Sequence, residues 1–276
     1  MKKKSVISLI SYDAAYLPES ISKYYNYVDE IVLGLDKNRT TWSGNSFSFD
    51  ENKLWSELGV IDGDSKISIV EEDFVKSKIA IENDNYERNF LKAQCTNDWI
   101  FSIDADEYLV NSKDFFYNYC PLVERYYNKA DICMTWATPY KTIDDTTLVI
   151  ANEDGTPFFG ENQGMTTSKD STFTYARWTN KSAAGHNRLL SPLVAIHWSL
   201  CRNKEDLHKK INNIGHSDLV ENDPFYRIWE QVTMDNYEEL HNFKTSGLGQ
   251  AQWPILRAMD SEQVINYIEQ HLDRAY

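Results

Sequence analysis

The chain has 276 residues, 42% of them hydrophobic and 13% aromatic, which is enough apolar material for a sizeable core and too much for a disordered chain. Its 42 acidic against 28 basic residues give a formal charge of -14, so a general binder of nucleic-acid backbones would work against its own field, and no nucleic-acid partner is expected. A local site can still bind an anion if a divalent cation is supplied, and carboxylates are what hold such a cation.

The opening MKKKSVISLISYD imitates a signal peptide, but its apolar segment breaks at Tyr12-Asp13 and no small-residue cleavage site follows. No stretch approaches the roughly 18 apolar residues of a membrane span. The expectation is a soluble, cytoplasmic chain without a transmembrane segment, with contact at the inner face of a membrane left open. Cys95, Cys120, Cys133 and Cys201 form neither a C-x-x-C pair nor a zinc-like spacing and read as reduced packing residues.

Short apolar runs then recur with helical patterns between them: SVISLIS, EIVLGLD, KISIVEED, WIFSIDAD, DICMTWAT and LVAIHWSL. This alternation predicts an α/β fold around a mostly parallel sheet. Leu17, Ile21, Tyr24, Tyr25 and Val28 share one helical face, with Pro18 suited to a first turn, so a helix is predicted over Leu17 to Val28. A second helix, Ile81 to Cys95, leads into WIFSIDAD. Residues 141–182 are polar, with Gly155, Gly160 and Gly164 and a turn at NEDGT, and are predicted as loops and short strands. From Asn203 onward the patterns are helical: Leu207, Ile211 and Ile214, then Phe225 to Met234, then Val264, Ile265, Ile268 and Leu272 after a capping Ser261. These apolar faces must be covered, by the sheet domain or by a second subunit. The division expected is 1–202 for the sheet domain and 203–276 for a helical extension.

WIFSIDADEYL carries an apolar run straight into Asp104, Asp106 and Glu107, at the C-terminal end of a strand, where open α/β sheets bind ligands. On an extended backbone Asp104 and Asp106 point the same way, and two convergent carboxylates suit a hard cation that can bridge the phosphates of a nucleotide diphosphate. The small Ala105 leaves space for that ligand. The plainer reading of D-x-D is an acidic turn closing a buried strand. A calcium loop is excluded, because the sixth position from Asp104 is Leu109, not glycine.

Taken together, SVISLISYDAAYLPESI, VDEIVLGLDKNRTTWSG, ERNFLKAQCTNDWIFSIDADEYL and IHWSLCRNKEDLHKKI resemble a family 2-type glycosyltransferase of the GT-A fold over residues 4 to 215. The resemblance implies a Rossmann-like sheet flanked by helices and a nucleotide-sugar donor, a UDP-sugar above all, with Mn2+ or Mg2+ as cofactor. It implies that Ser11, Tyr12, Asp13 and Asp36 hold the nucleobase. Arg88 would approach the nucleotide, Asp104 would face ribose or metal, Asp106 would bind the metal directly, and His197 would complete its coordination. The acceptor would be a glycan or lipid-linked glycan, in polysaccharide biosynthesis, with inversion at the sugar.

Each position has a plainer reading. Asp36 can simply end a strand, Arg88 can pair with Glu82 or Asp84 on a solvated helix face, and His197 can be a hydrogen-bonded core histidine beside Trp198. His186, in AAGHNR, is the rival ligand. The tryptophan-bearing loop NRTTWSG is suited to close over a donor. If His197 is a ligand, activity should fall on acidification as the imidazole protonates. For the base that deprotonates the acceptor, Glu161 between Gly160 and Gly164 is preferred, with Asp170 the rival, while Glu153 and Asp154 sit in an ordinary turn. Two other classes remain: a sugar nucleotidyltransferase, disfavoured because SYDAAYLPES has neither glycine nor a basic residue to cradle a triphosphate, and a non-enzymatic carbohydrate-binding protein.

Overall fold

The computed structural model describes residues 2–127, 130–180, 188–215, 217, 225–243 and 252–275. Four strands, β1 (Lys4–Ile10), β2 (Glu30–Asp36), β3 (Ile67–Glu72) and β4 (Trp99–Ser102), run parallel in the spatial order β4-β1-β2-β3. Every residue of β1 is buried, as a strand covered on both faces requires. Side chains alternate between the faces: Val6, Ile31, Leu33 and Phe101 join a cluster with Leu17, Ile21 and Leu54, while Ile7, Val32 and Ile100 join one with Phe74 and Leu91.

The connecting helices are α1 (Leu17–Ser22), α2 (Glu51–Ile61) and α3 (Ala80–Gln94). The helix expected from Leu17 to Val28 is thus shorter, its remainder forming a tight turn at Tyr25–Tyr27. The sequence reading did not register α2, although Asp50 caps it by accepting from the Lys53 amide at 3.0 Å. Helix α3 lies unusually close to β2. A Cβ on Gly34 would stand 2.6 Å from Glu87 Oε1 and 2.7 Å from Leu91 Cδ1, so a larger residue there would require those side chains to shift.

The remaining strands are β5 (Glu107–Leu109), β6 (Asp131–Ala137), β7 (Pro139–Ile143), β8 (Thr146–Ala151), β9 (Glu161–Gly164), β10 (Thr166–Ser168), β11 (Phe173–Tyr175), β12 (Trp178–Thr179), β13 (Arg188–His197) and β14 (Ile255–Asp260). DICMTWAT and LVAIHWSL do pair in parallel as β6 and β13, but in a second sheet of order β5-β13-β6-β9. β10 adds antiparallel to the outer edge of β4. NEDGT is a turn as expected, with Gly155 at φ 78° and the Asn152 amide donating to the Thr156 carbonyl at 2.8 Å.

One expectation is corrected. The segment after Asn203 is not purely helical: β14 pairs antiparallel with β8 from Ile255 opposite Ala151 to Asp260 opposite Thr146. Leu207, Ile211, Trp229 and Leu256 share one core with Tyr140, Leu148 and Ile150. Lys141 Nζ, in turn, donates to the carbonyls of Trp229 and Val232, at 2.8 and 2.7 Å, at the end of the Phe225–Gln231 helix. The four cysteines are free thiols, three of them buried. No helix among the described residues is long and apolar enough to cross a membrane.

Candidate active site

A cavity of about 480 Å³ opens at the C-terminal ends of β1 and β4, within the roughly 300–1,000 Å³ usual for small-molecule sites. The chain reaches it by leaving β4 at Ser102 and turning through residues 103–106, the Glu107 amide donating to the Asp104 carbonyl at 3.1 Å. Asp104 and Asp106 therefore stand on a turn rather than on the extended strand expected, and they meet different neighbours. Both line the cavity, as does the buried Ala105 between them.

Glu107 holds the turn. Its two carboxylate oxygens accept from Arg177 Nη2 at 2.6 Å and Nη1 at 2.7 Å, from Trp136 Nε1 at 2.8 Å, and from the Asp104 amide at 2.9 Å. Burial pushes this carboxyl up and Arg177 pulls it down. All four contacts are donors, so the ionised form is the one they satisfy. Ser20 Oγ, on α1, donates to the Glu107 carbonyl at 2.8 Å and ties the first helix to the same turn.

Asp104 Oδ1 accepts from Arg88 Nη1 at 2.9 Å, and Oδ2 lies 3.8 Å from Arg177 Nη2. Burial would raise its pKa, but Arg88 and then Arg177 outweigh that and bring it down to about 2. Arg88 is not the solvated helix residue of the plainer reading: it is buried, its Nε donates to Asp84 Oδ1 at 2.5 Å, and its Nη1 also reaches Ser102 Oγ at 2.6 Å.

Asp106 is more deeply enclosed. Its Oδ2 accepts from Arg202 Nη2 at 2.6 Å and Lys210 Nζ at 2.5 Å, while Oδ1 faces His197 Nε2 at 3.8 Å. Burial opposes its ionisation, but Lys210, His197 and Arg202 together hold the carboxyl below its usual range. The approach of Asp106 to His197 follows from strand pairing. β5 runs antiparallel to β13 with Glu107 opposite His197, and the Trp198 amide donates to the Asp106 carbonyl at 2.9 Å. The His197 ring stacks on Trp136 with centroids 3.9 Å apart. Burial brings its pKa down to about 3, so the imidazole is neutral throughout the ordinary pH range and protonates only on stronger acidification.

Ser11, Tyr12 and Asp13 line the cavity at the end of β1. Burial raises the Tyr12 hydroxyl well above its ordinary value and also raises the Asp13 carboxyl, which Arg202 pulls back from 3.2 Å. Asp36 reaches the cavity too, but its oxygens accept from the amides of Asn38 at 2.9 Å, Thr40 at 3.0 Å and Phe74 at 2.8 Å. It organises the loop after β2 instead of presenting a bare carboxylate to a base. Trp42, from that loop, lines the cavity, and Thr41 Oγ1 donates to Asn213 Oδ1 at 2.6 Å across its rim.

Glu161 opens β9 opposite Trp136, is buried at the cavity wall and accepts from Trp253 Nε1 at 3.2 Å. Asp170 accepts from Ser168 Oγ in the connection between β10 and β11 and does not line the cavity. His186 lies outside the described residues. Sequence reasoning missed Glu107 as the anchor of the turn, and Arg177, Arg202 and Lys210 altogether. The one available signal was the basic run after His197, CRNKEDLHKK, in a chain otherwise short of cations.

Among the described residues no three His, Cys, Asp or Glu side chains gather into a group able to hold an ion. Asp104 is turned to two arginines, whereas Asp106 Oδ1 and the neutral His197 Nε2 face one another. Two such ligands still fit the demand of Mg2+ or Mn2+, which take one or two carboxylates and fill the remaining positions with water and substrate phosphates.

No protein-family profile matches the chain, and no characterised protein matches it in sequence. Solved structures overlap it at low identity. A mannosyltransferase from Pyrobaculum calidifontis, solved with GDP-Man and Mn2+, is 14% identical over 49% of this chain at a TM-score of 0.35, and this chain spans 35% of its length. TarS from S. aureus, residues 1–349, is 10% identical over 85% of this chain and 76% of its own, at a TM-score of 0.42. A putative glucose-1-phosphate thymidylyltransferase from Bacillus anthracis is 11% identical over 75% of this chain and 93% of its own, at a TM-score of 0.39.

Proposed function

We propose that this chain is a metal-assisted glycosyltransferase that moves a sugar from a nucleotide-diphosphate donor, a UDP-sugar in the first instance, to a hydroxyl of a glycan or lipid-linked glycan. The observation that carries this reading is the meeting of Asp106 and His197 in the wall of the cavity, 3.8 Å apart though 91 positions separate them in the chain. A carboxylate held ionised and an imidazole held neutral, side by side and without a hydrogen bond between them, are two ligands presented to one cation. A Mg2+ or Mn2+ bound there supplies positive charge where the departing diphosphate gathers its negative charge.

The chain's own residues do the rest. Ser11, Tyr12 and Asp13, which line the cavity, would hold the nucleobase, and Arg88 and Arg177 fix Asp104, its side chain 30% exposed, where a ribose hydroxyl can donate to it. Glu161 is the base: the acceptor oxygen attacks the anomeric carbon, its proton passes to the carboxylate, and the carbon–oxygen bond to the diphosphate breaks with its electron pair going to the phosphate oxygen. That displacement inverts the sugar.

The test is a donor-hydrolysis screen across nucleotide-sugars with Mn2+ and Mg2+, on the parent chain and Asp106→Asn. Metal-stimulated turnover that the substitution abolishes, in a variant that stays folded by circular dichroism, supports the reading; a lowered melting temperature is expected, because Arg202 loses a buried charge partner. Turnover at the parent rate in the variant refutes it.

A further inference from the structure

We propose that Lys210 is the diphosphate-binding cation of this site, resting on Asp106 in the free enzyme and transferring to the donor's phosphates when nucleotide arrives, with Arg202 left behind as the fixed partner of Asp106. The proposal deepens the reading above and rests on it for the position of the metal.

The starting point is two cations on one oxygen. One carboxylate oxygen, Asp106 Oδ2, accepts from two full cations, Arg202 at 2.6 Å and Lys210 at 2.5 Å. Arg202 divides its charge between Asp106 and Asp13, whereas Lys210, among the described residues, has Asp106 alone. The two are built differently. Arg202 is clamped: its side chain is 2% exposed, its guanidinium lies 4.5 Å over the Tyr16 ring, and the same Nη2 also reaches Asp13 at 3.2 Å. It does not line the cavity.

Lys210 does line the cavity, with its side chain 14% exposed. It comes from the last turn of the Lys204–Ile211 helix, which Asn203 caps by accepting from the Asp206 amide at 2.9 Å, and which Leu207 and Ile211 root in the core. Among the described residues, Asp106 is the sole hydrogen-bond partner of its ammonium. A lysine ammonium on a flexible stem can re-aim its donors without disturbing the helix that carries it, which a stacked, doubly held guanidinium cannot.

Electrostatics then gives the coupling a sign. A divalent cation held by Asp106 and His197 would place two positive charges close to the Lys210 ammonium, so metal alone would bind against repulsion. A diphosphate brings negative charge to the same spot and gives Lys210 a new partner, and Asp106 is released to the metal. Metal and nucleotide therefore bind cooperatively, with Lys210 as the element between them. The ligand class follows: the group recognised is a pyrophosphate, whichever base it carries.

The experiment compares the parent with Lys210→Met, which keeps the apolar stem, and Lys210→Arg, which keeps the charge. Mn2+ alone is titrated by electron paramagnetic resonance, and UDP, GDP and inorganic pyrophosphate are titrated by calorimetry with saturating Mn2+ and again with a chelator. Lys210→Met is expected to bind Mn2+ alone more tightly than the parent, while losing on the order of ten- to hundredfold in affinity for all three diphosphates, the value of one charge-assisted contact. Lys210→Arg is expected to recover most of the diphosphate affinity.

These opposite signs separate a phosphate ligand from a structural lysine, whose loss would weaken both. Unchanged diphosphate affinity in Lys210→Met, or weaker Mn2+ binding in it, overturns the proposal. Failure of the metal reading shows differently: Mn2+ affinity would be indifferent to Asp106→Asn, while the diphosphate loss in Lys210→Met would persist in chelator.

Discussion

Replacing Glu87 with glutamine should stabilise the protein, and increasingly so as the pH rises. Glu87 sits on α3 against Gly34, 5% exposed, with its Oε2 accepting from Trp42 Nε1 at 2.7 Å. Burial raises its pKa from an ordinary 4.5 to about 8, against the opposing pulls of Trp42 and Arg88 and with the help of Asp84 and Asp36. A carboxyl that keeps its proton in the folded chain and loses it near 4.5 in the unfolded chain favours unfolding above that pH. The sign follows: between those two values the unfolded state binds fewer protons, so stability falls as pH rises. Each pH unit costs about 1.4 kcal/mol, or about 3 kcal/mol by neutral pH. Glutamine has nearly the same shape, keeps an acceptor for Trp42 and has no proton to lose. Urea unfolding at pH 5, 6, 7 and 8 on both proteins is the measurement. The two should nearly coincide at pH 5 and diverge steadily to pH 8, the variant the more stable. Parallel curves across that range, or a variant less stable at pH 8, would refute the assignment of Glu87 as a buried neutral acid.

Glu107→Gln removes the charge partner of a buried arginine and should cost about 3–5 kcal/mol in chemical denaturation, the usual penalty for breaking a buried pair. A loss under about 1 kcal/mol would mean that Arg177 is satisfied by Asp104 alone. Ending the chain after Ser199 deletes β14, Lys210, Leu207 and Trp229, leaving β8 with an open edge and Tyr140, Leu148 and Ile150 uncovered. That truncation should sediment as aggregate, and a soluble, active product would contradict the shared core.

The sequence alone determined the parallel sheet, because strands covered on both faces must be apolar throughout, and β1, β2 and β4 could be read directly from SVISLIS, EIVLGLD and WIFSIDAD. It also determined where to look, since a buried strand running into three carboxylates marks a sheet's ligand edge. It placed Glu161 as a candidate, and the structure puts that residue in the cavity wall, while Asp170 lies outside it. What the sequence could not carry were the partners of each charge. Nothing local tells Asp36 that three backbone amides will surround it, or tells Asp104 that it will meet Arg88 and Arg177 while Asp106, two positions on, meets Arg202 and Lys210. Those contacts arise from the turn after β4 and the β5–β13 pairing, which are long-range. β14 stayed hidden for the same reason: ILRAMD has weak alternation by itself and becomes a strand because β8 offers it an edge. Apolar periodicity is written residue by residue and survives without a structure, but the neighbours that set a side chain's charge state and role are chosen by the tertiary fold.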